Sequence, residues 1–341
     1  MREITAIGLD LAKNVFQAHA AAADGGTMFS RKLRRGEVLE FFQKTSPCLV
    51  GLEACGGAHY WARQIRALGH EVRMMPPAYV KPFVKRGKTD AADAEAISEA
   101  VSRKTMRFVP IKSAEQQADA VVLKTRALLV GQQTQAINAL RAHLAEFGIV
   151  TGVGRAKVAA LIGIIDDEAD SRLPSAARFA LRQLAQQIER LAEQIKTLEK
   201  AIVVATRRND TARRLTTIPG IGAITAAAIL ALVPDPAGFR SSRHFAAWLG
   251  LTPKPHSSGG KERLGCISKM GNPMLRSLLV VGATSVLRQA CNSPNAPRWV
   301  TALLARRPYK VVAVALANKM ARVAWALLVN GGSYRAIANN V

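Results

Sequence analysis

The chain has 341 residues, 49% of them hydrophobic, and carries 48 Lys and Arg against 24 Asp and Glu. This length exceeds what one core usually supports, so we expect two or three domains. A net charge of +24 argues against an ordinary near-neutral enzyme surface and favours a polyanionic partner such as nucleic acid.

The first 75 residues alternate strands with helices. Strands are predicted in ITAIGLD, NVFQAHA and TMFSRKL, and a helix over residues 37–44. The buried strand CLVGLE, a helix ending at Gly69 and the strand EVRMM follow. This order predicts a mixed α/β domain, after which a basic connection leads into a helix that begins with acids.

Two long helices are predicted in the middle of the chain. Ser113 and Gln116 form a capping-box signal for a helix that runs to about Gly148. A second helix, over about 176–207, has apolar residues at alternating spacings of three and four, which is typical of a coiled-coil seam. The seam residues are Leu181, Leu184, Ile188, Leu191, Ile195, Leu198 and Ile202. The pattern leaves open pairing within the chain, pairing between chains, or a compact bundle.

From residue 215 onward the chain is predicted to be mostly helical. A turn with Pro219, Gly220 and Gly222 precedes an Ala-rich helix, and a loop rich in Gly, Ser and Lys covers residues 254–271. The turn resembles a helix-hairpin-helix, whose backbone N–H groups can hold a phosphate without reading sequence. Packing of a helix start is the alternative explanation. We expect domains over residues 1–110, 111–210 and 211–341.

Signals for export, disulfides, zinc and membrane insertion are missing from the sequence. The start MREITAIGLDLAKNV lacks a signal peptide's apolar run, and the four cysteines have wide, irregular spacing. The apolar stretches 273–290 and 311–329 are interrupted by basic residues. We therefore expect a reduced cytoplasmic location and no membrane partner.

Four acids are candidate metal ligands. Asp10 and Glu53 each end a predicted strand, whereas Asp90 and Asp93 lie on one face of a helix's first turn. Strand ends of a parallel sheet meet at one edge, and converging carboxylates call for Mg²⁺ or Mn²⁺, which act on phosphodiester oxygens. For Asp90, stabilisation of the helix dipole is the alternative role. Glu95 is interpreted as a solvated surface acid without a partner.

Basic residues precede these acids in the sequence. Lys85, Arg86 and Lys88 are predicted to guide a phosphate toward the metal site. The segment Gly87-Lys88-Thr89 mimics the end of a P-loop, but Pro82 stands where the earlier glycine is required, which rejects that motif.

A serine-containing loop supplies a candidate nucleophile. Ser257 and Ser258 stand beside two glycines, and a serine can attack phosphorus if it is deprotonated and nearby cations neutralise the phosphate. Turn formation is the usual role of such serines, and His256 stays unassigned. The surrounding cations, which we expect to contact nucleic acid, are Lys254, Lys261, Arg263 and Lys269.

The motifs IGLDLAKNVF, GLEACGGAHYWA and KTDAADAEAI resemble, in this order and spacing, the DEDD domain of insertion-sequence transposases that include the Piv-type DNA invertases. The resemblance implies an RNase-H-like fold of the Holliday-junction-resolvase (RuvC-like) kind. It also implies a metal-binding tetrad of Asp10, Glu53, Asp90 and Asp93. Cys55 stands where this family often has Thr, two residues beyond a ligand.

The elements IPGIG, FAAWLGLTP, SSGG and SKMGN resemble the same family's C-terminal transposase domain. The resemblance implies that Ser258, with Ser257 as the alternative, forms a covalent phosphoserine link to cleaved DNA. It further implies a homo-oligomer, a dimer or tetramer, in which the serine loop of one protomer meets the tetrad of another. A guide non-coding RNA and association with the bacterial nucleoid are also implied.

These observations predict a site-specific DNA recombinase that mobilises an insertion sequence. Its expected fold is an RNase-H-like α/β domain, a long helical coiled-coil arm and a mostly α C-terminal domain with the helix-hairpin-helix-like turn. Three alternatives remain open. They are a metal-dependent junction-resolving nuclease in which water attacks, a non-enzymatic nucleic-acid-binding scaffold, and an actin-like or sugar-kinase ATPase, for which the phosphate loops are missing.

Overall fold

A computed structural model describes residues 3–85, 87, 89–152, 154, 156–257, 259–261, 263–292 and 297–335. The chain divides into two compact units, Met1–Gln117 and Ala118–Val341. The predicted division into three domains stays a prediction.

The first unit is built on one sheet, as the alternating strand and helix patterns predict. Its strands are β1 (Ile4–Asp10), β2 (Val15–Ala22), β3 (Thr27–Arg34), β4 (Leu49–Glu53) and β5 (Glu71–Met75). Its helices are α1 (Val38–Lys44), α2 (Ala58–Ala67), α3 (Pro77–Val80) and α4 (Asp90–Val101), with short 3₁₀ turns at Arg35–Glu37 and Lys81–Phe83.

The sheet is mixed, with the strand order β3-β2-β1-β4-β5. β1, β2 and β3 pair antiparallel, since short turns join them, whereas β4 lies parallel to both β1 and β5 because helical connections intervene. The run from Ala6 to Leu9 is buried throughout, so β1 is covered on both faces.

Helix α4 lies against β1 and β4 at two glycines. A Cβ added at Gly8 would overlap the carbonyl oxygen of Ala94, and one added at Gly51 would lie 2.8 Å from Cβ of Val101. Only a missing side chain permits so close an approach. The helix begins where the Thr89 hydroxyl accepts a 3.2 Å hydrogen bond from the Ala92 N–H, an N-cap.

The second unit is mainly helical. It contains most of α5 (Ala114–Ala145), then α6 (Ala156–Asp166), α7 (Ser175–Arg208), α8 (Asp210–Thr216), α9 (Ala223–Leu232), α10 (Ser242–Trp248), α11 (Pro273–Cys291), α12 (Arg298–Leu304) and α13 (Tyr309–Asn330). Strands β6 (Pro253–Pro255) and β7 (Leu264–Ile267) form an antiparallel hairpin. The expectation of a plain loop over 254–271 is therefore wrong in part, and α6 lies where no helix was predicted.

Helices α5 and α7 contact each other within one chain. The buried Gln133 side chain donates to the Ile188 carbonyl at 3.3 Å, and Arg126 Nε donates to Glu199 at 2.9 Å. Near the end of α5 and the start of α7, Leu140 and Leu181 belong to the same apolar cluster. The α7 seam is thus covered, at least in part, by the same chain. A regular coiled coil stays a prediction.

The capping box that starts α5 is present as predicted. The Ser113 N–H donates to Gln116 Oε1 at 3.0 Å, and the Gln116 N–H donates back to the Ser113 hydroxyl at 3.1 Å. This reciprocal pair satisfies two N–H groups at the helix start, one at each residue.

Helix α13 is long and apolar enough to cross a membrane by length and composition alone. In the described structure it is a core helix, since Val312, Leu316 and Met320 are buried in the main cluster of the second unit. Two charged residues, Lys319 and Arg322, lie near its middle. One such helix is weak evidence for a membrane span.

Candidate functional site

The ends of β1 and β4 bring the first two candidate acids to one edge of the sheet. These strands run parallel and pair Leu9 with Leu52, so Asp10 and Glu53 follow at the next position on each strand. Side chains two residues apart share a sheet face, and Gly8 and Gly51 both face α4. Asp10 and Glu53 therefore lie on the α4 face of the sheet.

The start of α4 adds the other two acids. Asp90 is the first helical residue and Asp93 lies about one turn later. Ala94, the residue that crosses Gly8 most closely, follows directly. The acidic turn is thus next to the part of β1 that ends in Asp10.

Electrostatic coupling among these carboxylates is visible at Asp10. Burial is the largest cause that raises its pKa to about 6, followed by repulsion from Asp93, Asp90 and Glu53, while the Leu11 N–H opposes the shift. One acid therefore senses the other three, because like charges at short range penalise ionisation.

The donor chemistry of the four acids suits a hard divalent ion, since Mg²⁺ and Mn²⁺ prefer carboxylate oxygens. Within the described residues, however, no three acidic, histidine or cysteine side chains converge closely enough to form a coordination shell. The charges of the four acids influence one another, but in the described structure their side chains do not surround a common point. Their role as metal ligands stays a prediction.

Cys55 lies beside this acidic edge, and the sequence interpretation assigned it no role. Desolvation and then the charges of Glu53 and Asp10 raise the pKa of its thiol. At the position where the family often has Thr, this chain therefore has a protonated, uncharged thiol near the acids.

Lys85 forms an ion pair with Glu95, a residue that the sequence interpretation excluded from the site. Its Nζ lies 2.6 Å from Glu95 Oε1, an ion pair that lowers the pKa of Glu95 and raises that of Lys85. The expectation that Glu95 has no partner is wrong. Such an exposed pair contributes little stability, so a phosphate could still displace it. The other two predicted guides, Arg86 and Lys88, lie outside the described residues.

The segment that contains both candidate serines joins β6 to β7 in the sequence. The His256 N–H donates to the Arg263 carbonyl at 2.7 Å, and the Ser257 hydroxyl accepts from the Arg263 N–H at 3.3 Å. The Ser257 oxygen thus closes the hairpin turn. Ser258 lies outside the described residues.

Exposed cations surround this hairpin, as the sequence predicts from its composition. In the part of the chain that the structure describes, none of them forms an ion pair. Their charge is therefore available to a phosphate. They are Lys254, Lys261, Arg263 and Lys269.

Lys269 stands out by its backbone. Its φ of 55° places it in the left-handed region. Among the residues that the structure describes, it is the one non-glycine residue with a positive φ. That conformation is unfavourable for a lysine by about 1 kcal/mol or more. The residue is exposed, so its side chain gains no burial in return.

The glycine turn before α9 is held by packing. Gly220 has a φ of 86°, and a Cβ there would lie 2.8 Å from both the Gly282 carbonyl oxygen and Met320 Cε. Ile218 and Ile221 are buried in the same core. Packing therefore accounts for Gly220, whereas open space surrounds Gly222 at the N-cap of α9. Phosphate binding at these two glycines stays a prediction.

A basic and aromatic groove in the second unit was missed by the sequence interpretation. Its members, among them Trp299, Lys319 and Tyr334, are scattered along the last hundred residues. The available signal was charge, since residues 211–341 hold seventeen Lys and Arg but only two acids, Asp235 and Glu262.

Two family models match the chain. Residues 7–149 match a DEDD domain described as a transposase, and residues 212–298 match a domain described as a transposase of the IS116/IS110/IS902 family. The matched ranges contain the four candidate acids and the serine hairpin, respectively.

Several known proteins are similar over nearly the whole chain. A Sinorhizobium fredii protein named as a transposase is 48% identical, over 98% of this chain and 87% of its own length. The transposase for insertion sequence element IS1111A of Coxiella burnetii is 38% identical, over 98% and 92%. A pilin gene-inverting protein of Moraxella bovis is 26% identical over 83% of each chain.

Proposed function

This chain belongs to the IS116/IS110/IS902 family of transposases, and from that premise we propose that it cuts and rejoins DNA with a serine nucleophile and a metal-binding acidic tetrad. Its relatives are named as transposases, which cut and transfer DNA strands. The observation that carries the tetrad is the arrangement of the acids. Asp10 and Glu53 end adjacent parallel strands on the face covered by α4, and the first turn of α4 holds Asp90 and Asp93. The raised pKa of Asp10 agrees with this arrangement.

We propose an RNase-H-like fold for the first unit. The β3-β2-β1-β4-β5 order, with the first three strands antiparallel and the last two parallel to β1, supports this assignment. In such an arrangement Asp10 and Glu53 stand at the ends of the central strand and its parallel neighbour, next to the acidic first turn of α4.

The tetrad residues Asp10, Glu53, Asp90 and Asp93 would hold Mg²⁺ or Mn²⁺, which supplies Lewis-acid stabilisation of phosphodiester oxygens. The chain's own contribution is to place four oxygen donors on two strand ends and one helix start. Because the carboxylates repel one another, an ion's charge would also relieve the unfavourable field at Asp10.

Ser258 is the proposed nucleophile. Its neighbour Ser257 already accepts a hydrogen bond in the hairpin turn, which favours Ser258 as the serine left for chemistry. The Ser258 oxygen would attack phosphorus, the bond to one DNA oxygen would break, and that oxygen would leave with a proton. A hydroxyl of the recombining strand would then attack the phosphoserine and release the serine, so that no external energy source is needed.

Oligomerisation and guidance by a non-coding RNA complete the proposal. The acids belong to the first unit and the serine hairpin to the second, which is compatible with a composite site formed between protomers. The surplus of positive charge is compatible with a bound RNA as well as with DNA.

Trapping the covalent intermediate tests the proposal. The full-length protein, element DNA, the element's non-coding RNA and Mg²⁺ would be incubated together, quenched with denaturant and analysed for protein-linked DNA. We expect an adduct with wild type and with Ser257→Ala, and none with Ser258→Ala. Cleavage by Ser258→Ala at the wild-type rate would support a junction-resolving nuclease that uses water. Unchanged adduct formation by Asp10→Asn and Asp93→Asn would contradict the metal-binding tetrad, and no adduct with any variant or with wild type would favour a binding scaffold.

A further inference from the structure

An open groove of about 560 Å³ runs along α13 in the second unit. It is bounded by the first turn of α12, the start of α10 and the segment that follows α13. The proposed catalytic residues do not line it. The lining residues that matter here are Trp299, Asn318, Lys319, Arg322, Tyr334 and Arg335.

The groove is strongly positive. Lys319, Arg322 and Arg335 are exposed, and none of them forms an ion pair with any described residue. Residues 211–341 contain two acids, Asp235 and Glu262, against seventeen Lys and Arg. Three unneutralised cations in one concave surface concentrate an anionic ligand.

Aromatic surface accompanies these cations. Lys319 Nζ lies 4.4 Å from the centre of the Trp299 ring, a cation–π contact that holds the ring in place. Trp299 remains 36% exposed, so part of its surface is open to a ligand. Tyr334, which is half-buried and also lines the groove, adds a second ring.

The groove is also anchored to the core. The Asn318 side chain donates to the Leu251 carbonyl at 3.2 Å, and the Tyr334 N–H donates to the Thr217 hydroxyl at 2.9 Å. The neighbours of the lining residues on α13, Ala317 and Met320, are buried. A ligand would therefore meet a surface that needs little ordering.

We propose that this groove binds an unpaired segment of nucleic acid, with a base against Trp299 or Tyr334 and its flanking phosphates on Lys319, Arg322 and Arg335. Sites for single strands combine a cationic track with exposed rings, since every base has a stacking face. An acidic peptide would use the charge but not the rings. A duplex hides its bases, so it would not engage Trp299.

The inference concerns binding and does not depend on Ser258 or on the tetrad. It uses only the nucleic-acid substrate class of the family, so failure to cleave DNA would leave it standing. DNA and RNA share the chemistry described, and the experiment separates them.

Fluorescence anisotropy with the full chain in EDTA tests the groove. The probes are labelled oligodeoxyuridine and oligouridine of about 20 nucleotides, which differ only in the 2′-hydroxyl, with a blunt duplex of equal length. We expect Trp299→Ala to weaken single-strand binding about tenfold and to leave duplex binding unchanged. Trp299→Phe should retain most affinity and guards against misfolding. The tighter of the two single strands identifies the natural class.

Two further experiments test the contribution of the groove's cations and the location of the bound strand. Arg322→Ala should lower the slope of log affinity against log salt by about one, whereas Arg288→Ala, an exposed change on α11 outside the groove, should not. A bromouracil oligonucleotide irradiated on the protein should crosslink to the peptide that contains Trp299 or Tyr334. Crosslinks confined to other peptides, equal losses in Arg288→Ala and Trp299→Ala, or full competition by polyglutamate would each overturn the proposal.

Discussion

Asp10 ends β1 with a pKa raised to about 6, caused by burial and then by Asp93, Asp90 and Glu53. The ordinary value is 3.8, so between these two pH values the folded chain binds more protons at this site than the unfolded chain. The free energy of unfolding therefore falls through this group as pH rises from 3.8 to about 6.

Asp10→Asn removes this pH dependence because the amide cannot ionise. Without metal we expect the variant to be more stable than wild type by about 1 kcal/mol at about pH 7, after allowance for solvent screening, and equal to it at about pH 4. Urea unfolding in EDTA at both pH values measures the difference. Asp119→Asn, at an exposed site on α5, is the control. A stability difference that is the same at both pH values would contradict the assignment.

Lys269 offers a second residue-scale prediction. Its left-handed backbone costs a lysine about 1 kcal/mol that glycine does not pay. Lys269→Gly should therefore keep or slightly raise the melting temperature, while DNA affinity falls through the lost cation. Anisotropy and thermal unfolding of the same sample provide both readouts. A large drop in melting temperature would show that the lysine is structural.

Helix α4 shows how an element positions a site. Its approach to β1 depends on Gly8, where a Cβ would overlap the Ala94 carbonyl oxygen, and to β4 on Gly51. The acidic turn of α4 can stand beside the strand ends only because both sites lack side chains. The glycines are thus part of the site's construction although neither carries chemistry.

Gly8→Ala should displace α4 or strain the sheet. Overpacking against backbone falls at the upper end of its range, so we expect a loss of about 3 kcal/mol in unfolding free energy. Gly36→Ala is the matched control, because an added Cβ there meets nothing within 4 Å. Chemical denaturation of both variants tests this. Equal midpoints would mean that α4 is not held at this contact.

At the scale of the whole molecule, positive charge is unevenly distributed, with seventeen Lys and Arg against two acids from residue 211 on. The first unit holds the acidic edge, and the second holds the basic hairpin and groove. The basic surface of the second unit is therefore suited to phosphate, as a transposase that handles DNA requires.

Divalent ions should stabilise the first unit specifically. At a hundredfold excess over the dissociation constant, Mg²⁺ binding adds about 2.7 kcal/mol to the free energy of unfolding. Hydrogen exchange with and without Mg²⁺ should show slower exchange in β1, β4 and the start of α4. The double variant Asp10→Asn, Asp93→Asn should show none. Protection spread equally over α7 and α11 would indicate non-specific binding.

Local patterns in the sequence were enough to locate the strands of the first unit, the Ser113 capping box and the long α7. They also placed Asp10 and Glu53 at strand ends. Each of these signals extends over a few neighbouring residues, because hydrogen bonds within a turn and the alternation of buried side chains are short-range effects. The β6–β7 hairpin and α6 were missed. A short strand does not show a clear alternation of buried and exposed residues, and an evenly apolar helix does not show a buried stripe.

Contacts between distant residues decided the rest. The register of β1 on β4, the close approach of Ala94 to Gly8, and the packing of Gly220 on Gly282 join positions that no local pattern links. The partner of Glu95, the role of Ser257 in its turn and the Trp299 groove likewise depend on which surfaces meet. Local sequence patterns were enough to specify most of the elements and the chemical groups they carry. The tertiary structure decided which groups share a field or a groove, because Coulomb forces and packing act through space rather than along the chain.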